Sequence, residues 1–193
     1  MADVELPDPK EVEEKAADPF TKRVALSVAV YAVALAVTAL GGSNAGKDMV
    51  MAQQKASNQW AYYQAKVMRE NMYVLAAEGL ELEIEEAGDN SKTKAAREKK
   101  LASYRAKTAE YKKEKDEIMA EAKKLEDERD TAARRDPYFD YAEVLLQIAI
   151  VLASVAMLSG RKEAFYTSLA LAALGALLCA NGYGLFVKVP GLE

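Results

Sequence analysis

The sequence predicts an all-α protein with three transmembrane helices and a long antiparallel helical hairpin between the first and second of them. Three observations predict this fold: three apolar segments long enough to cross a bilayer, a charged middle at residues 47–136 with helix periodicity, and a Gly-containing turn halfway along that middle. Charged residues make up 29% of the chain, but they are segregated from the apolar blocks, so the average composition hides the membrane segments.

The N-terminal part of the chain predicts an anchor. Residues 1–18 form an acidic segment, which we expect to be a short surface helix or to lack fixed structure. Residues 19–40 form the first predicted span, because 17 residues from Val24 to Leu40 carry no charge. A cleaved signal peptide is the alternative, but the preceding region is too long and too acidic, which favours an uncleaved anchor.

Residues 41–48, with the sequence GGSNAGKD, are predicted to break the first helix. Their spacing is that of a phosphate-binding loop, G-x-x-x-x-G-K, but Asp48 stands where the motif needs Ser or Thr. The segment also follows a predicted helix instead of a strand. We therefore expect a flexible exit from the membrane in preference to a nucleotide site.

The second arm of the hairpin carries a heptad pattern, and its apolar d positions alternate with a positions that include polar residues able to set register. The ten positions of this pattern are Leu101, Tyr104, Thr108, Tyr111, Lys115, Ile118, Ala122, Leu125, Arg129 and Ala132. The first arm carries a looser stripe: Met49, Ala56, Trp60, Tyr63, Val67, Val74 and Ala77. The two stripes predict one antiparallel helix pair.

Folding about a turn at residues 87–91 sets the expected register of that pair. The facing residues are then Trp60 with Ile118, Tyr63 with Lys115, Val67 with Tyr111, and Val74 with Tyr104. An acidic cluster ends the first arm and a basic cluster opens the second, so we expect opposite charges to pair across the tip. The clusters are Glu81, Glu83, Glu85 and Glu86, and Lys92, Lys94, Arg97, Lys99 and Lys100.

The last third predicts a second span at residues 137–159, a third at residues 163–181 and a tail at residues 182–193. The Asp136-Pro137 step is expected to cap and start a new helix. Short segments with Lys15, Lys22, Arg23, Arg161 and Lys162 fall on one side of three spans, so the positive-inside rule predicts a cytoplasmic N-terminus. The hairpin is then on the periplasmic side of the inner membrane.

Two groups of residues are candidates for a functional surface. The first combines amides, aromatic rings and apolar side chains, as protein interfaces do; the alternative is that its aromatic residues form the hairpin core. This candidate interaction surface comprises Gln59, Trp60, Tyr63, Gln64, Lys66, Met72 and Tyr73. The second group, Asp140, Glu143 and Gln147, lies on one face of the second span, where it predicts either a hydrogen bond between helices or an ion path.

A further set of apolar residues falls off the heptad stripe of the first arm and is expected to be exposed in an isolated hairpin. These residues are Tyr62, Met68, Met72, Tyr73 and Leu75. So many large apolar side chains predict a second contact surface, and we expect a homo-oligomer.

Two stretches carry a resemblance to a known family: QKASNQWAYYQAKVMR at residues 54–69 and FDYAEVLLQIAIV at residues 139–151. With them the chain resembles an uncharacterised bacterial inner-membrane family, a domain of unknown function. The resemblance implies one N-terminal span, a charged helical segment that opens with the Gln-Trp-Ala-Tyr-Tyr-Gln-Ala-Lys run, and two C-terminal spans joined by a basic turn. It implies no activity.

The composition argues against several classes of function. The chain has no His, and its one cysteine, Cys179, lies in an apolar run, so we expect no catalytic residues, no metal site and no cofactor. No basic patch predicts nucleic-acid binding. The expected partners are membrane lipids, other copies of the chain and an unidentified protein. We predict a non-enzymatic membrane scaffold, and the alternative is an oligomeric ion channel or transporter subunit lined by the second span.

Overall fold

A computed structural model describes residues 18–86 and 91–191 of the chain. The described residues form three helices: α1 at Pro19–Glu86, α2 at Ser91–Ser159 and α3 at Lys162–Gly184. No strand is found within those ranges, so the all-α prediction is confirmed. Residues 1–17 of the predicted acidic segment and residues 87–90 of the predicted turn at 87–91 lie outside the described residues, and Ser91 begins α2.

The chain divides into two compact units. The first, here called the apolar unit, comprises Met1–Asp48 and Thr131–Glu193, and the second, the hairpin unit, comprises Met49–Asp130. Each of the three helices contains a segment that is long and apolar enough to cross a membrane, judged by length and composition.

The predicted break in α1 at residues 41–48 is wrong, because the helix runs through this segment. The reason is tertiary packing that outweighs the low helix propensity of glycine. A Cβ on Gly41 would lie 2.5 Å from Cε1 of Phe139 and 2.8 Å from the hydroxyl of Tyr183, and one on Gly42 would lie 3.2 Å from Cβ of Phe139. The two glycines therefore accommodate an aromatic contact with α2 and α3. A helix in this place also lacks the loop that phosphate binding would need.

The predicted helix start at Asp136-Pro137 is also wrong, because Pro137 lies inside α2. Proline in a helix interior lacks the N–H that bonds the preceding turn. The two residues that follow it are almost fully buried, Tyr138 at 3% exposure and Phe139 at 2%. The Tyr138 hydroxyl donates to the carbonyl of Val187 at 3.3 Å and accepts from the Val189 amide at 3.1 Å. These contacts hold the segment in helical register despite the proline.

The core of the apolar unit lies where α2 contacts both other helices. Leu146, Ala149 and Ala153 of α2 form one buried cluster with residues of α1 and with Ala172 of α3. The small side chains of Ala149, Ala153 and Ala172 allow the helices to approach closely. Phe20 and Phe165 are in edge-to-face contact with ring centroids 5.8 Å apart, so the start of α1 lies beside the start of α3.

The third helix ends at Gly184, three residues beyond the predicted end of the third span at residue 181. Leu185 follows in the left-handed conformation with φ of 48°, and its amide bonds the carbonyl of Asn181. The Asn181 side chain donates to the carbonyl of Val187 at 2.8 Å and accepts from its amide at 2.9 Å. These hydrogen bonds hold the start of the tail against the C-terminal end of α3.

In the hairpin unit α1 and α2 pack against each other as an antiparallel pair. All ten predicted heptad positions of α2 are buried or half-buried, and so are all seven positions of the looser α1 stripe. The side chains of Ala52, Ala56, Ala122 and Leu125 are buried between the arms. The prediction of two facing stripes is confirmed.

The predicted register is displaced at Trp60, whereas Tyr104 contacts Tyr73, the neighbour of its predicted partner Val74. Trp60 donates a hydrogen bond to Glu126, two helical turns beyond its expected neighbour Ile118. At the tip, the guanidinium of Arg97 lies 3.4 Å from the carboxylate of Glu83, so the predicted pairing of opposite charges across the turn is confirmed there.

Candidate functional site

The predicted interaction surface is divided between two sides of α1. Gln64 and Met72 are exposed. The other five residues are buried or half-buried: Gln59, Trp60, Tyr63, Lys66 and Tyr73. Their role in binding a partner stays a prediction, but the contacts of Trp60, Lys66 and Tyr73 show what these side chains do within the hairpin.

Trp60 joins the two arms through its indole nitrogen. The indole Nε1–H donates to Oε1 of Glu126 at 2.9 Å. The ring meets Tyr63 edge to face, with centroids 5.5 Å apart and an interplanar angle of 80°. An indole N–H that is partly withdrawn from water favours a hydrogen-bond partner, and the carboxylate of Glu126 on the opposite arm accepts from it.

Lys66 is a buried lysine at 8% exposure, and its ammonium is paired with Glu114 of α2. The ammonium also lies 5.0 Å from the ring centroid of Tyr111 and 5.3 Å from that of Tyr62. The hydrogen bond with Glu114 raises the pKa of Lys66, and this outweighs the opposing effect of burial. The lysine is therefore a charged member of the contact between the arms.

A second ion pair lies close by with the opposite polarity. Lys115 of α2 is paired with Glu70 of α1, and both side chains are largely buried. The hydrogen bond with Glu70 raises the pKa of Lys115. Two ion pairs of opposite direction favour one register of the arms, because a slip would separate both at the same time.

Tyr73 is not exposed, contrary to the prediction, because its ring packs against two tyrosines of α2. The centroid of Tyr104 lies 5.5 Å away and that of Tyr111 lies 5.6 Å away. Tyr73 is absent from the stripe predicted for the first arm, and it was therefore predicted to lie on the outer side of that helix.

Lys66, Glu70 and Tyr73 belong to one continuous heptad pattern of α1, here called the inner seam, which sequence reasoning found only in part. Every position of it is buried or half-buried. The inner seam consists of Ala52, Ala56, Gln59, Tyr63, Lys66, Glu70, Tyr73, Ala77, Leu80 and Ile84. The signal that could have found it is the unbroken alternation of four-residue and three-residue steps, which passes through charged Lys66 and Glu70.

A second heptad pattern, here called the outer seam, lies on the opposite side of α1. It consists of Ala61, Ala65, Met68, Met72, Leu75, Gly79 and Leu82, and every one of them is exposed. Met68, Met72, Leu75 and Leu82 are each more than 60% exposed. The predicted exposure of Tyr62, Met68, Met72 and Leu75 is confirmed.

Two residues of the predicted polar face of α2 are in contact with each other. Nε2 of Gln147 donates to Oε1 of Glu143 at 3.0 Å, a bond within one helix, and both a hydrogen bond between helices and an ion path stay predictions. Gln147 and Asp140 are exposed and Glu143 is half-buried. Near this face, burial raises the pKa of Asp136, and the charge of Asp140 raises it further.

Residues 18–86 and 91–191 contain no group of three or more His, Cys, Asp or Glu side chains that could hold a metal ion. Cys179 is a free, half-buried thiol of α3. The described residues form a helical protein with two long paired helices and three apolar segments.

Residues 20–185 match the Domain of unknown function (DUF4337), and the chain belongs to that family. No curated protein and no solved structure matches the chain.

Proposed function

We propose that the protein is a non-enzymatic integral membrane scaffold of the inner membrane, which anchors a helical hairpin and assembles with other copies of itself. The observation that carries this proposal is the contrast between the outer surfaces of the two units. The apolar unit presents apolar side chains on all three helices, and the hairpin unit presents mainly charged side chains along α2.

The apolar surface argues for a lipid environment. Leu26 and Leu40 of α1 are 69% and 61% exposed, Leu158 of α2 is 86% exposed, and Leu177 of α3 is 67% exposed. Monomeric soluble proteins rarely leave so many large apolar side chains in water. The three helix segments that carry them are therefore proposed to span the membrane.

The arrangement of basic residues supports a cytoplasmic N-terminus. Contact between Phe20 and Phe165 brings the start of α1 beside the start of α3. The short basic segments Lys22-Arg23 and Arg161-Lys162 adjoin these two helix starts. Positive charge in short segments favours the cytoplasmic side, which places the hairpin in the periplasm.

Assembly with other copies is supported from within the apolar unit. Gln147 is exposed on an apolar segment, ten residues beyond Pro137. An amide in the hydrocarbon region is costly unless it faces another helix or water. A neighbouring copy that covers the Glu143–Gln147 pair would remove this cost.

The same pair favours a second candidate function, an oligomeric ion channel or transporter subunit. A ring of copies would bring several Glu143 carboxylates together, and carboxylate rings select cations. Scaffold and channel differ in one measurement. In planar bilayers, a channel would conduct and Glu143→Gln would change its ion selectivity, whereas the scaffold would give no current.

Thiol labelling tests the anchoring and the topology together. In a Cys179→Ala background, Ala109→Cys places one thiol on the exposed side of α2 in the hairpin unit, and Glu163→Cys places one at the basic connection. In intact spheroplasts a membrane-impermeant maleimide should label the first and spare the second. The reverse pattern would contradict the proposed topology, and release of the protein by alkaline carbonate would contradict anchoring.

A further inference from the structure

The outer seam is an apolar helix face that the hairpin itself leaves uncovered. It repeats through about three heptads without a single charged residue, and all its members are exposed. At 100° per residue, Met68 lies about 200° around α1 from Lys66, so the two seams face opposite ways. One helix thus carries two contact faces, of which only the inner one is used within the chain.

The pattern selects the kind of partner. Alternate three-residue and four-residue spacing of apolar side chains fits another helix, because knobs from that helix enter holes at the same spacing. The outer side of α2 does not offer such an apolar helix face. Charged side chains exposed there include Lys112, Lys113, Asp116, Glu117, Lys123 and Lys124. Within the part of the hairpin unit that the structure describes, every large exposed apolar side chain belongs to α1: Val50, Met51, Tyr62, Met68, Met72, Leu75 and Leu82.

We propose that the outer seam binds the outer seam of a second copy, forming a parallel α1–α1 coiled coil at the centre of a two-fold symmetric dimer of hairpins. An uncharged seam of equal length is the complement that this face requires, and an identical copy provides it. This inference rests on the proposed membrane anchoring, since copies inserted in one membrane with one topology have their α1 helices in the same direction.

The residues beside the outer seam agree with this pairing over its first half. In a parallel coiled coil Gln64 of one copy faces Arg69 of the other, five residues on, and an amide can accept from a guanidinium. Glu78 would face Glu83, which is unfavourable, but Arg97 of the same copy already lies 3.4 Å from the Glu83 carboxylate. Gly79 has open space around its Cβ position, so the two backbones can approach there.

Disulfide crosslinking in membranes tests the pairing and its direction. In the Cys179→Ala background, single cysteines replace Ala61, Ala65 or Leu82 on the outer seam, and the matched controls Ala109→Cys and Ala120→Cys place thiols on exposed alanines of α2. Oxidation with copper phenanthroline should double the 21.1 kDa mass of the seam variants and leave both controls at monomer mass.

The outcomes separate the alternatives. Self-crosslinking at both Ala61→Cys and Leu82→Cys supports a parallel pair. Crosslinking only between these two variants when they are co-expressed indicates an antiparallel pair and overturns the inference. Crosslinking of the α2 controls at the same yield overturns it as well, because contact would then be random or through another face.

A charge on the seam provides a second test by native mass spectrometry in detergent. Met72→Glu should convert the dimer to monomer, whereas Ala109→Glu should leave it intact. Trp60 fluorescence should be unchanged in both variants, since Met72 and Ala109 are exposed and lie outside the contact between the two arms. A Met72→Glu protein that remains oligomeric and crosslinks through Gln147→Cys would overturn the seam contact while the proposed homo-oligomeric scaffold stands. A monomer in all conditions would contradict both.

Discussion

Replacing Gly41 by alanine should destabilise the apolar unit, although the same change favours a helix. Alanine is more favourable than glycine in a helix interior by about 1 kcal/mol. The added Cβ would lie 2.5 Å from Cε1 of Phe139 and 2.8 Å from the Tyr183 hydroxyl. Non-bonded carbon atoms pack at roughly 3.5–4.0 Å, so the ring of Phe139 or the helix must move.

Phe139 has little room to move. It is 2% exposed, and Gly182 of α3 also lies against its ring, since a Cβ on Gly182 would be only 3.0 Å from Cε1. Overpacked cores lose about 1–3 kcal/mol. After the gain in helix propensity, the expected net loss for Gly41→Ala is about 1 kcal/mol.

Gly46→Ala is the matched control, five residues further along α1 in the same unit. Its Cβ would lie 3.9 Å from the nearest atom, Oδ1 of Asp136, which is ordinary contact. Only the propensity difference remains, so this variant should be more stable by about 1 kcal/mol. The two alanine substitutions are expected to act in opposite directions.

The chain contains one reporter for each unit. Cys179, the only cysteine, lies in α3, and Trp60, the only tryptophan, lies in the hairpin. Unfolding in mixed micelles of increasing SDS fraction is followed by the maleimide reactivity of Cys179. Gly41→Ala should lower the midpoint, Gly46→Ala should raise it, and Trp60 fluorescence should report an unchanged hairpin. If Gly41→Ala raises the midpoint as much as the control does, the packing argument is wrong.

Three further predictions concern single side chains. The folded-state pKa of Lys66 is raised, so its ion pair contributes stability that is complete below about pH 10.5 and is lost as the pH rises further. Above about pH 10.5, the Lys66→Met hairpin should therefore lose less stability than the unmodified hairpin, measured by Trp60 fluorescence in urea. Tyr138→Phe removes the hydroxyl that bonds the amide of Val189, so hydrogen exchange there should accelerate, whereas Tyr141→Phe at an exposed position should have no effect. Burial raises the pKa of Asp136, which means that its ionised form opposes folding, so Asp136→Asn should raise the unfolding midpoint by circular dichroism at pH 7 and have no effect below about pH 3.

Helix periodicity was sufficient to predict the helical class and the facing stripes. On α2 the apolar d positions were sufficient to predict the whole heptad pattern, and all ten of its positions are buried or half-buried. On α1 the inner seam passes through Lys66 and Glu70, which an apolar pattern excludes. Their partners Glu114 and Lys115 are more than forty residues away in the chain, so the register was displaced and Tyr73 was placed on the wrong side.

The two predicted interruptions failed for a related reason. Gly41 and Pro137 are unfavourable in helices by local propensity, and local propensity is what a sequence pattern reports. The contacts that keep both segments helical come from Phe139, which meets glycines of α1 and α3, and from Tyr138, whose hydrogen-bond partners lie in the tail after α3. The outer seam was predictable in part, because Met68, Met72 and Leu75 fall off the predicted stripe of the first arm and their exposure needs no distant partner.

The heptad repeat of α1 restricts how the length of this hairpin can change. One inserted residue turns the rest of the helix by about 100° and carries Lys66 away from Glu114. Seven inserted residues restore the angle but displace every later partner by about 10 Å along the axis, unless the opposite arm gains seven as well. Among related chains, the two arms are therefore expected to lengthen or shorten together and in steps of seven.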